Sequence, residues 1–137
     1  FFLTAGALSY SSGTRMLPAI RGVMRKQPGI GVSFAAAALA VAGVPPFNGF
    51  FSKFSIFAGG FEAARAAPWL MVLVVLAMLE SVGSFAWLFW WFSAAVPGPS
   101  SDEVAASGVL DRRMQAVLIA LVALTLVSGL FAAMWLG

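Results

Sequence analysis

The sequence contains neither cysteine nor histidine, so disulfides, thiolate redox chemistry, iron–sulfur ligation and imidazole metal sites have no ligands within it. No cofactor is therefore expected on this chain, and any redox group must sit on a partner. Charge is almost as scarce. Only 9% of residues are charged and 61% are apolar, whereas an ordinary soluble domain carries about a quarter charged residues. A water-soluble surface cannot be built from so few charges, which excludes a soluble enzyme. The net charge of +3 is no sign of nucleic-acid binding, because Lys and Arg fall mainly at the ends of apolar runs, as topology determinants do. The opening Phe1-Phe2-Leu3 lacks an initiator Met, a basic n-region and a cleavage site. It reads as the interior of a longer protein rather than as a signal peptide.

What the sequence does have is apolar length. Runs of about 20 residues recur between short polar stretches, and a hydrocarbon core of about 30 Å demands that length of a helix. The expectation is an all-α integral membrane protein in the inner (cytoplasmic) membrane, a transmembrane helix bundle with one discontinuous helix. Residues 1–12 read as the tail of a helix, and residues 13–29 as a basic loop holding Arg15, Arg21, Arg25 and Lys26. A broken span over 30–60, a span over 69–92, a solvated loop over 93–113 and a last span over 114–136 follow. The cations of the first loop, together with Arg112 and Arg113, place both loops in the cytoplasm and the C-terminus outside.

The break is written in Gly43-Val44-Pro45-Pro46-Phe47-Asn48-Gly49. Pro45 and Pro46 each remove a backbone donor, and Gly43 and Gly49 tolerate unusual dihedrals, so helical hydrogen bonding must lapse there. Such breaks in lipid need protein or water to satisfy the freed backbone groups, and in transporters they mark ion pathways.

Lys53 follows the break by about one turn. Counting to a helix end near Gly60 puts it roughly 10 Å inside the outer boundary. A lysine at the centre of a span costs about 2.5 to 3.5 kcal/mol on insertion scales. This marks Lys53 as a proton-path candidate, against the alternative that it snorkels to the interface. Asn48, Ser52 and Ser55 supply polar groups near the break that either hold waters or cap the kink. Glu80, near the middle of the second span, must be protonated, paired or hydrated. It either pairs with Lys53 or locks helices together as a neutral acid. Tyr10 and its neighbouring serines extend a polar path or mark a helix end. Phe89, Trp90, Trp91 and Phe92 suit an interface belt.

Ala42-Gly43-Val44-Pro45-Pro46-Phe47-Asn48-Gly49-Phe50-Phe51-Ser52-Lys53-Phe54 resembles a signature of the antiporter-like proton-translocating subunits. Respiratory complex I, Mrp-type cation/proton antiporters and energy-converting nickel–iron hydrogenases share that family. Leu3-Thr4-Ala5-Gly6-Ala7 and Gly13-Thr14-Arg15 are similar to its upstream segments, while Tyr10 and Met16 stand where many relatives have His and Asp. The resemblance implies a C-terminal fragment of a polytopic protein that performs no catalysis of its own. It implies partnership with other membrane and redox subunits, protons or Na⁺ as the transported ion, and a place for Lys53 in the outer half of the proton path. Within the family the motif looks most similar to the hydrogenase-four or formate hydrogenlyase branch. Three functions compete: a proton-conducting subunit of a redox-driven pump, a non-conducting structural arm, and a stand-alone cation/proton antiporter.

Overall fold

Seven connections, most of them marked by glycine or proline, divide the described residues into helical elements. The computed structural model describes residues 1–136, and among these every regular element is helical. They are α1 (Phe2–Ser12), a 3-10 turn (Leu17–Ile20), α2 (Val23–Lys26), α3 (Pro28–Ala42), α4 (Asn48–Ala66), α5 (Leu70–Ala95), α6 (Asp102–Ala106) and α7 (Arg112–Leu136). Helix α3 opens on Pro28, where the missing N–H is no loss. Helix α4 stops at Ala66, two residues before Pro68, which disfavours helix in the residue preceding it.

Helices α5 and α7 are each long and apolar enough to cross a membrane. At about 1.5 Å per residue both exceed the 30 Å of a hydrocarbon core. Only 11% of the most apolar stretch of each is buried, so neither is the core helix of a soluble protein. A helix apolar all round and left uncovered calls for lipid or other helices. The chain is a membrane protein.

Residues divide into two units, with the boundaries falling inside α3, α5 and α7. The first comprises 1–38 and 88–124. Its core joins Ala7 and Leu8 of α1 to Ile20, Val23, Ile30, Phe34, Val96, Leu110 and Leu118. Leu8, Val23, Ile30, Phe34, Val96 and Val104 are its largest fully buried side chains. Each such side chain contributes about 1.5–3 kcal/mol when taken from water.

The loop expected to be solvated over 93–113 is mostly exposed, but it is anchored at three buried points. Val96, Val104 and Leu110 are buried, and Ser101 donates its N–H to the Arg21 carbonyl at 3.0 Å. Ser101 also caps α6 by accepting from the Val104 N–H, with Asp102 and Glu103 in the first turn. Gln27 donates to the Gly108 carbonyl at 2.9 Å, and Lys26 donates to the Ala105 carbonyl. The polar composition of this stretch concealed three apolar anchors spaced through it. The basic loop over 13–29 likewise contains the 3-10 turn and α2. The aromatic cluster is split in the same way. Trp91 and Phe92 pack against this core, while Phe89 and Trp90 are exposed.

The second unit comprises residues 39–87 and 125–137. Here α4 continues well past the expected end at Gly60 and carries Glu62 and Arg65 as an exposed ion pair at 3.4 Å. The helix end expected near Gly60 is not there, and Gly60 serves packing. A Cβ there would lie 2.7 Å from Cγ2 of Val74, so glycine lets α5 approach α4. Counted along α4, Lys53 is then about 13.5 Å short of Glu62, so more of the helix follows it than an end at Gly60 would leave.

Candidate functional site

Residues 43–47 lie between α3 and α4 in non-helical geometry. Gly43 ends α3 at a φ of +81°, in the left-handed region where a side chain is disfavoured. The glycine does a second job: a Cβ on it would lie 2.8 Å from Cδ of Lys53, so the lysine's aliphatic stem runs over the turn. Two further glycines let backbones touch. A Cβ on Gly49 would collide with the Ala40 carbonyl oxygen, and one on Gly129 of α7 would collide with the Pro46 carbonyl oxygen. The turn is therefore gripped between the end of α3, the start of α4 and α7 by contacts that only hydrogen-sized side chains permit.

Lys53 sits in the second turn of α4 and is half-buried. Its Nζ donates to the Ala42 carbonyl at 3.2 Å and to Oγ of Ser81 on α5 at 2.8 Å. Ala42 is the last residue of α3, so its carbonyl is one of those a helix end leaves without a partner. A cation beside a helix C-terminus is stabilised by the aligned peptide dipoles. The end of α3 thus supplies an acceptor, and α5 supplies a hydroxyl.

Of the two alternatives for Glu80, the pairing with Lys53 is not formed. Among the described residues, the ion pair is Arg65 with Glu62. Glu80 is exposed, and its Oε1 accepts from the Ser84 hydroxyl one turn further along α5. The reason is angular: Glu80 and Ser81 are consecutive, so about 100° of helix separates them, and only Ser81 points to Lys53. Ser81 was missed in the sequence because Glu80, the charged residue, drew the attention. The available signal was a hydroxyl interrupting the same apolar run.

Asn48 opens α4, and it, Ser52 and Ser55 are exposed. Ser52 neighbours Lys53 in sequence and so turns to a different face. Tyr10 is 77% exposed on α1. No three acidic side chains gather as a metal site among the described residues. What remains chemically capable is an amine held by a carbonyl and a hydroxyl, and a carboxyl on the same α5 engaged by a second hydroxyl.

The sequence profile of the NADH:quinone oxidoreductase/Mrp antiporter transmembrane family matches residues 1–81. The chain belongs to that family. Its match takes in the turn at residues 43–47, Lys53 and Ser81. Among its relatives, NADH-quinone oxidoreductase subunit 14 of Thermus thermophilus is 38% identical over 121 residues, covering 79% of this chain and 27% of that protein. A Na⁺/H⁺ antiporter subunit of Bacillus subtilis is 36% identical over 101 residues, covering 72% of this chain and 20% of that protein. An NADH-quinone oxidoreductase subunit of Desulforudis audaxviator is 39% identical over 84 residues, covering 61% of this chain and 17% of that protein. The chain spans about a quarter or less of the length of these relatives.

Proposed function

We propose that this chain is part of a proton-translocating membrane subunit of a redox-driven pump, a complex I-like NADH-quinone oxidoreductase or an energy-converting hydrogenase. In this reading it sits in the inner membrane among other membrane and redox subunits. Helices α3 and α4 together make one crossing interrupted at residues 43–47, joining α5 and α7 in a bundle. Lys53 exchanges protons in the outer half of the path, with Glu80 as a second titrating group and Asn48 and Ser52 lining the water entry.

The observation that carries the reading is the lodging of the Lys53 amine between the Ala42 carbonyl and the Ser81 hydroxyl, beside the non-helical residues 43–47. An amine can serve as a carrier only if both its charged and neutral forms find a place. A carbonyl at a helix end favours the ammonium, whereas apolar surroundings favour the neutral amine. A partner enzyme that changes state can tip this balance, working against about 2.3 kcal/mol per charge per 100 mV.

The test is Lys53→Ala in the full-length subunit within its complex. Proton uptake by inverted vesicles should fall by at least about tenfold, a floor set below the roughly 10²–10⁴-fold that a positioned proton-transfer group contributes. Uptake at the wild-type rate would rule the role out. The Na⁺/H⁺ antiporter relative supports a second reading, a cation/proton antiporter. It predicts that sodium drives proton movement with no electron donor present.

A further inference from the structure

Lys53 and Glu80 do not meet, but two hydroxyls stand between them. At about 100° per residue, Ser84 projects between Ser81 and Glu80 around α5, so the three side chains occupy one arc of roughly 100°. The hydrogen bonds at the two ends of this arc run in the same sense. Lys53 Nζ donates to Ser81 Oγ at 2.8 Å, and Ser84 Oγ donates to Glu80 Oε1. Ser81 and Ser84 are i,i+3 neighbours, about 5–6 Å apart at Cβ. A gap of that size has room for one water between the two hydroxyls, and the relay requires one there.

Of the two acceptors on the amine, only one can pass a proton on. The Ala42 carbonyl has no hydrogen to release, whereas a hydroxyl accepts and donates at once. We infer that Ser81 and Ser84 form a hydroxyl relay that carries a proton from the Lys53 ammonium to the Glu80 carboxylate. This rests on the reading of Lys53 as a proton carrier.

The step balances. Lys53 gives one proton to Ser81 Oγ as the Ser81 hydroxyl releases its own to the bridging water. The water passes one to Ser84 Oγ, and Ser84 releases one to Glu80. Both serines and the water end as they began, leaving a neutral amine and a carboxylic acid. Two ionic charges disappear from an apolar setting, which removes their desolvation penalty.

Ser81→Val and Ser81→Thr are nearly isosteric and differ in the hydroxyl, which separates relay from packing. In the full-length subunit within its complex, proton uptake per assembled subunit should fall at least about tenfold for Ser81→Val and stay within about twofold of wild type for Ser81→Thr. Ser81→Ala, smaller than either, takes the place of Ser81→Val if that variant does not assemble. Wild-type uptake without the hydroxyl, or equal loss in the Thr and Val variants, would overturn the relay. A Lys53→Ala variant that stops uptake while Ser81→Val does not would overturn the relay alone, whereas normal uptake in Lys53→Ala would overturn the parent reading.

Discussion

The two units of this chain put their polar groups to different uses. In the unit of residues 1–38 and 88–124, the cations stand on connecting segments, in the short helix α2 or at the start of α7, and the hydrogen bonds that link distant residues tie the connecting segments together. Ser101 serves both Arg21 and the cap of α6, and Gln27 reaches Gly108. These bonds surround a closed apolar core that includes Phe34 and Val96. In the unit of residues 39–87 and 125–137, the polar groups lie within helices instead. A lysine is held by a carbonyl and a hydroxyl, and a glutamate by a serine, on helices whose apolar surface is mostly uncovered. The first arrangement ties segments of the chain together and serves stability. The second is expensive for stability, which is why intramembrane ionisable groups point to function.

That contrast can be broken from either side. The largest expected effect on stability is Phe34→Ala, which empties a fully buried site and should cost about 3–5 kcal/mol. It should lower the amount of subunit in the membrane, read by immunoblot and thermal melting, while uptake per remaining assembled subunit stays near wild type. A parallel loss of uptake per molecule would mean that the packed unit also carries transport.

Gly49→Ala comes next, because its Cβ would drive into the Ala40 carbonyl and push α4 away from the end of α3. A cost of about 1–3 kcal/mol is expected, here with uptake per molecule reduced as Lys53 is displaced from Ala42. Unchanged uptake would show that the grip on the turn is not needed. The smallest effect should be Glu62→Gln, which breaks an exposed i,i+3 pair worth at most about 0.5 kcal/mol. Both melting and uptake should be indistinguishable from wild type.

Much of this was legible from composition. Charge scarcity and apolar run length announce membrane helices, and the string from Ala42 to Phe54 points to the family that the comparison over residues 1–81 shows. What stayed hidden depends on neighbours in space. Gly60 reads as a helix stop until Val74 is seen against it. The stretch after Phe92 reads as solvated because its serines, prolines and acids outnumber Val96, Val104 and Leu110, although those three residues decide its packing. Lys53 and Glu80 invite pairing by charge, yet the direction in which each side chain leaves its helix assigns the lysine to Ser81. Residue type gave the chemistry available, and helix angle determined which groups meet.

The central claim is that Lys53 releases and regains a proton, not merely that a cation belongs at this place. Lys53→Arg separates the two, since a guanidinium keeps the charge and can still donate to Ala42 and Ser81 but does not deprotonate in proteins. Measured as proton uptake by vesicles carrying the assembled complex, this variant should assemble yet fall at least about tenfold. Assembly with uptake at the wild-type rate would contradict the account.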